Sequence, residues 1–295
     1  LPEKVFVDPF NGLRDLLDGV LRTPGKPEDS FGDDPLRMMR GARFAAQLEF
    51  EIEPETFDAM RAMADRIEII SAERIHDEFV KLMKGKNPRL GLEALVDSGL
   101  AALVLPELPA LKLEVDEHHH HKDVFEHTLT VVDQAIDYEK DYGLEGDFVL
   151  RFAALMHDIG KPATRKLEPG GGVSFYHHDI VGAKLAKKRM QALRFDNDTI
   201  KAVCLLIELH LRFFGYSDSA WTDSAIRRYV RDAGDFITHL HVLTRADCTT
   251  RNKTKAARLS SVYDSLEARM DVLMEKEELS KIRPDLDGEE VMQIL

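Results

Sequence analysis

Apolar and polar positions follow the period of an α-helix along most of this chain. Behind Asp34-Pro35, a cap and a first-turn proline, Leu36, Met39, Arg43 and Ala46 share one face of a helix over residues 36–48. Arg37, Arg40 and Phe44 share the neighbouring face. Glu53-Pro54-Glu55 opens a second helix that reaches Ile67, and Ser71-Ala72-Glu73-Arg74 caps a third that reaches Met83. Residues 90–104 form another, interrupted at Gly99, before Pro106 and Pro109 set a boundary near residue 110.

Helical spacing resumes after His121. Val124, Thr128, Val131 and Ala135 make a buried stripe over 124–138, and Phe148, Phe152, Leu155 and Ile159 make the next. Gly170-Gly171-Gly172 marks a loop or hairpin tip within 163–176. Helices are expected at 178–193, 197–211, 222–232 and 235–248. A mixed-charge helix follows at 255–276, then a turn at Arg283-Pro284-Asp285-Leu286-Asp287-Gly288. Residues 1–33 differ. Val5-Phe6-Val7-Asp8-Pro9-Phe10-Asn11-Gly12 reads as a short strand entering a turn. Gly19-Val20-Leu21 is a second apolar stretch ahead of the Pro- and Gly-bearing segment 23–33. Two strands are marginal without a sheet to join, so this segment reads as the end of a domain whose body lies elsewhere.

Composition narrows the class. With 295 residues, 44% hydrophobic and 32% charged, the chain suits a soluble globular protein with a real core. No apolar run approaches the roughly 18 to 20 residues of a membrane span, and Leu1-Pro2-Glu3-Lys4 has no signal-peptide pattern. Cys204 and Cys248 read as buried reduced thiols of a cytoplasmic protein. The net charge of −13 argues against a general nucleic-acid binder but leaves room for a local basic strip. Arg37, Arg40 and Arg43 form such a strip. They can track phosphates, or form a solvated face paired with Glu49 and Glu51.

Six residues carry candidate metal chemistry: His127, His157, Asp158, His178, His210 and Asp247. Each falls on or beside an apolar stripe, where an ionisable group is costly unless paired or metal-bound. A lone histidine in such a place is more often a satisfied core residue; here five elements each aim a ligand inward. Adjacent helical residues point about 100° apart, so His157-Asp158 can share a metal only near a helix end, which Gly160 and Pro162 supply. Imidazole and carboxylate suit Mn, Fe, Co, Ni or Zn, and Mg less well. Asp158 can both bind the metal and orient a water. Lys161 either meets a phosphate or is an exposed helix-end lysine. His118-His119-His120-His121 reads as a polar lead-in to the next helix or a metal-scavenging tract, and His76, His177, His239 and His241 read as structural.

The order His127, His157-Asp158, Asp247 resembles the HD phosphohydrolase superfamily, and His178 and His210 resemble the extra histidines of its two-metal members. The wider chain resembles the bacterial, actinobacterial-type CCA tRNA nucleotidyltransferases of the class II poly(A) polymerase family. The phrases that carry this are Asp34-Pro35-Leu36-Arg37-Met38-Met39-Arg40-Gly41-Ala42-Arg43-Phe44, Leu105-Pro106-Glu107-Leu108, His121-Lys122-Asp123-Val124-Phe125-Glu126-His127 and Leu243-Thr244-Arg245-Ala246-Asp247-Cys248-Thr249-Thr250-Arg251-Asn252. The family's Gly-rich turn with its Asp-x-Asp pair for Mg, and its nucleotide-reading Arg-rich phrase, do not occur here. The resemblance therefore implies a fragment truncated at both ends.

The fold expected is mainly α: a short β remnant of the nucleotidyltransferase head (1–33), a helical neck or RNA-binding domain (34–110), an all-helical HD domain (111–252) and a helical tail (253–295). The resemblance implies tRNA as partner, with CTP and ATP as substrates of the full-length enzyme. It implies Arg37, Arg40 and Arg43 on the RNA or nucleotide side. At the HD site it implies a phosphoester or nucleotide substrate, a divalent metal, and catalytic roles for Asp158 and Lys161. Two alternatives stay open: a free-standing HD nucleotidase or phosphodiesterase, and a non-catalytic tRNA-binding module whose metal site is structural.

Overall fold

The computed structural model describes residues 7–113, 123–169, 172–213, 221–250 and 252–281, with side chains to residue 276. Val5-Phe6, the His118–His121 tract, Gly170-Gly171, Arg251 and the turn at 283–288 lie outside them. The architecture is mainly α, as the periodicity predicts. Two compact units divide the chain: residues 1–211 with 238–249, and residues 212–237 with 250–295. No helix among the described residues is long and apolar enough to cross a membrane.

The first unit opens differently from expectation. Residues 7–10 form no strand. Asp8 instead accepts the amides of Gly12 (2.7 Å) and Leu13 (2.9 Å) and so caps a helix, α1 (Gly12–Asp18). The strand β1 (Val20–Leu21) pairs in parallel with β2 (Glu51–Ile52), so its partner comes from the helical region downstream. Within the segment 23–33, Pro27 starts a further helix, α2 (Pro27–Asp33).

Helix α3 (Leu36–Leu48) buries Leu36, Met38, Met39, Ala42, Ala45 and Ala46, and packs on α5 (Ala72–Met83) and α6 (Pro88–Asp97). Between α3 and α5, α4 (Pro54–Ala62) passes into a 3-10 turn at Ala64–Ile69 rather than continuing as α-helix. Ser71 precedes α5 without a side-chain cap bond. The break at Gly99 is real: its φ of 86° separates α6 from α7 (Leu100–Val104). A short α8 (Glu107–Ala110) follows.

Four longer helices then build the core around the candidate ligands: α9 (Val124–Tyr142), α10 (Phe148–Met156), α12 (His178–Ala192) and α13 (Asn197–Leu209). Asp123, Asp147 and Asp196 cap α9, α10 and α13 through their side chains. Between α10 and α12 lie the single turn α11 (Lys161–Thr164) and an antiparallel hairpin of β3 (Lys166–Leu167) and β4 (Val173–Ser174), where the glycines predicted a tip. The buried guanidinium of Arg151 on α10 forks onto Glu139 of α9 (2.5 and 2.7 Å). It also donates to the Met83 and Gly85 carbonyls, both at 2.8 Å, at the end of α5. The Met83 carbonyl, at the last residue of α5, lacks an intrahelical donor, and Gly85 lies two residues beyond it. One side chain thus ties three helices.

In the second unit, α14 (Asp223–Ala233) packs on α16 (Lys253–Lys281). Arg269 donates to Asp223 and to the Trp221 carbonyl, both at 3.0 Å, and the Phe213 and Tyr263 rings stack at 3.6 Å. Helix α15 (Ile237–Asp247) returns to the first unit from Thr238 onward. Cys204 and Cys248 form no disulfide with each other and are only half-buried, not fully buried as expected.

Candidate metal centre

The six predicted ligands converge at helix ends. His157 and His210 cap the C-termini of α10 and α13, His178 begins α12, Asp247 ends α15, and Asp158 follows His157 directly. Only His127 lies inside a helix, four residues into α9. That segment of α9 is held by Arg89 of α6, which reaches Asp133 at 2.7 Å and Glu126 at 3.0 Å. Gly160 permits the assembly. Its φ is an ordinary −78°, so no special backbone conformation calls for glycine. A Cβ there would instead meet the His178 carbonyl at 2.1 Å and the Gly182 amide at 2.7 Å. The absent side chain lets the first turn of α12, with His178, close on His157-Asp158.

The ligand atoms fall into two groups, each within 4.8 Å: His127, His157 and Asp247, and Asp158, His178 and His210. Asp158 joins them. Its Oδ2 is 3.2 Å from His157 Nε2 and 3.5 Å from His127 Nε2, while Oδ1 is 3.3 Å from His178 Nε2. His127 Nε2 stands 3.0 Å from Asp247 Oδ1. Three rings are anchored through Nδ1 to main-chain carbonyls: His157 to Ala154 (2.8 Å), His178 to Phe175 (2.8 Å) and His210 to Ile207 (2.6 Å). Their Nε2 atoms are buried and make no well-formed hydrogen bond.

Three inward, orphaned imidazole nitrogens beside two carboxylates are costly in a bare core. They suit a borderline divalent ion, for which neutral imidazole with its other nitrogen pinned is a standard ligand. The electrostatics agree. Burial alone would lower the His157 pKa, but the Asp158 and Asp247 carboxylates override it and raise it to about 10. Burial would raise Asp158, yet His157 and Lys161 hold it well below the usual carboxylate range. Asp247 is likewise held down against burial by contacts with His127 and His157. His210 is pushed down to about 4 by burial, with the His157 charge adding to it. Both carboxylates are thus held in their charged form against burial, which is the electrostatic setting of a cation site.

Lys161 is not the exposed helix-end lysine that sequence left open. It is 9% exposed, and its Nζ meets Asp158 Oδ2 at 2.8 Å. The arginine strip is paired more tightly than expected, and not with Glu49 or Glu51. Arg37 donates to the Ser30 carbonyl (3.1 Å) and hydroxyl (3.0 Å), and Arg40 lies 3.5 Å from Glu78 and 3.8 Å from Asp34. Arg43 binds Glu78 at 2.6 Å and Gln47 at 2.8 Å, which makes it a strut from α3 to α5. Side-chain exposure separates them: 43% and 39% for Arg37 and Arg40, against 15% for Arg43. Sequence reasoning missed Thr249, whose hydroxyl faces His127 Nδ1 at 3.1 Å. A threonine in a polar run carries no periodic signal.

Residues 49–111 match the family model described as "Probable RNA and SrmB- binding site of polymerase A", and residues 124–268 match the HD domain. The A-adding tRNA nucleotidyltransferase of Deinococcus radiodurans is 32% identical over 98% of this chain and 65% of its own length. A multifunctional CCA protein of Neisseria meningitidis is 36% identical over 70% of this chain and 48% of its own. The chain thus spans about half to two thirds of these relatives. Among solved structures, the Thermotoga maritima CCA-adding enzyme complexed with tRNA aligns with a TM-score of 0.59 at 16% identity, over 97% of this chain and 58% of that one. The Bacillus stearothermophilus CCA-adding enzyme with CTP aligns at 0.53 and 20% identity, over 88% and 54%. By the order of its matched segments, its relatives and its fold, the chain belongs to the CCA- and A-adding tRNA nucleotidyltransferase family.

Proposed function

We propose that this chain is the RNA-binding and HD portion of a tRNA nucleotidyltransferase, and that its six-ligand centre is a divalent-metal phosphohydrolase site. The whole protein would extend tRNA 3′ ends from CTP or ATP, with Mg serving a polymerase head whose motifs this sequence does not contain. The observation that carries the HD reading is the convergence of three buried, unbonded Nε2 atoms on two carboxylates.

His127, His157 and Asp247 would hold one ion; Asp158, His178 and His210 would hold or share a second. A bound divalent ion would lower the pKa of a water and screen phosphate charge. Asp158, whose two oxygens both face the ligand cluster, would hold the ion and accept a hydrogen bond from that water. Lys161 keeps Asp158 charged and fixed, and adds positive charge suited to an anionic phosphoester. Mn, Fe, Co, Ni and Zn all fit the donor set better than Mg.

The RNA reading rests on the matched segment at 49–111 and on the relatives' names. Arg37 and Arg40 keep enough exposure to reach a phosphate; Arg43 serves the fold. Two assays test the pair of claims. The chain with Mn²⁺ should hydrolyse a phosphomonoester or a cyclic phosphodiester, and Asp158→Asn should abolish it; equal rates for both proteins would sink the hydrolase. Arg37→Ala with Arg40→Ala should weaken tRNA binding and flatten its salt dependence by up to about two ions' worth of slope. An unchanged slope would remove these arginines from the interface.

A further inference from the structure

The four imidazoles of the centre are not oriented in the same way. His157, His178 and His210 each use the carbonyl of the residue three positions earlier. For His157 and His210 that carbonyl belongs to the last turn of α10 or α13, where intrahelical donors run out. These anchors are main chain and persist whatever side chain their residue carries. His127 has no such carbonyl to use. It lies inside α9, where helical carbonyls are engaged, and its own amide already bonds the Asp123 carbonyl at 3.1 Å. Its Nδ1 is met instead by a side chain 122 residues away, the buried Thr249 hydroxyl at 3.1 Å.

We propose that Thr249 is a positioning residue that selects the His127 tautomer able to bind metal. When Thr249 accepts the Nδ1 proton, Nε2 is left with its lone pair toward the centre. The competing tautomer is close at hand, because Asp247 Oδ1 lies 3.0 Å from Nε2 and would accept a proton held there. That arrangement would occupy one ligand with another. One turn controls both nitrogens: Asp247 faces Nε2, Thr249 faces Nδ1, and the Thr249 amide bonds the Asp247 carbonyl at 2.9 Å. A side chain that bonds the far nitrogen of a metal-binding histidine typically tunes metal affinity by about 10- to 100-fold.

This inference rests on the metal reading of the centre, and one set of measurements separates the two. Mn²⁺ is titrated calorimetrically into EDTA-stripped wild type, Thr249→Val, Thr249→Ser and His127→Ala. Nitrogen-15 NMR of the metal-free wild type and Thr249→Val reads the His127 tautomer. Valine keeps the shape and removes the acceptor; serine keeps the acceptor. The expected result is a loss of about 10- to 100-fold in Mn²⁺ affinity for Thr249→Val, recovery in Thr249→Ser, and a shift of the His127 proton from Nδ1 to Nε2 in the valine variant. Wild-type affinity in Thr249→Val alongside a weakened His127→Ala overturns the role of Thr249 and leaves the metal reading standing. No Mn²⁺ binding by wild type overturns both. Should the valine variant fail to fold, a wild-type His127 protonated on Nε2 overturns the proposal by itself.

Discussion

Asp158 and His178 meet with carboxylate Oδ1 3.3 Å from imidazole Nε2, while the other oxygen of Asp158 turns to His157. One carboxylate therefore bridges two ligand groups. His178→Ala is expected to remove metal from the Asp158–His178–His210 group and spare His127–His157–Asp247. Asp158→Asn should impair both. Metal content after Mn²⁺ loading and gel filtration checks this; equal losses in the two variants would contradict the bridging role.

Gly160→Ala should be far more harmful than its size suggests. The new methyl would stand 2.1 Å from a main-chain oxygen of α12, which has no flexible end to move aside. Overpacking of this kind costs about 1–3 kcal/mol where side chains can yield, so a loss at or above the top of that range is expected in urea denaturation. Metal affinity should fall with it, since His178 moves with α12.

Arg151→Met tests the tie between α5, α9 and α10. The variant leaves the buried Glu139 carboxylate unpaired and strips donors from the Met83 and Gly85 carbonyls. Breaking a buried pair from one side typically costs about 3–5 kcal/mol. Urea denaturation should show a loss of that order, partly recovered when Glu139→Gln is added. A loss below about 1 kcal/mol, in the range of an exposed ion pair, would deny the tie its importance.

His241 gives the fold an acid sensitivity. Burial first, then the Arg245 charge, lowers its pKa from 6.5 to about 4. The unfolded chain takes up this proton below its ordinary value while the folded chain resists until about pH 4. The stabilising preference for neutral His241 is present above about pH 6.5 and is lost as pH falls to about 4, a change of about 3 kcal/mol. In EDTA, wild type should lose more stability than His241→Leu between pH 7.5 and 4.5. Parallel losses would contradict the assignment.

The sequence revealed the ligands because each interrupts an apolar stripe that the helical period makes visible, and because His157-Asp158 stands beside helix-breaking Gly160 and Pro162. What stayed hidden has physical reasons. Gly160 reads as a helix stop, yet its necessity comes from α12, a contact that no local pattern encodes. Helix α1 was missed because Leu13, Leu16 and Leu17 are 50–74% exposed, so no core stripe announces it. The strip of Arg37, Arg40 and Arg43 looks uniform in sequence. What sets Arg43 apart is its closer contact with Glu78, 2.6 Å against 3.5 Å for Arg40, and its second bond to Gln47, neither of which a local pattern encodes.

On this reading His127, His157, Asp158, His178, His210 and Asp247 bind a divalent ion. Anomalous diffraction from crystals of this chain soaked in Mn²⁺ tests it most directly. A peak is expected among these side chains, about 2.0–2.3 Å from the His157 Nε2 and Asp247 carboxylate atoms. A density map with these side chains ordered but no anomalous peak between them would contradict it.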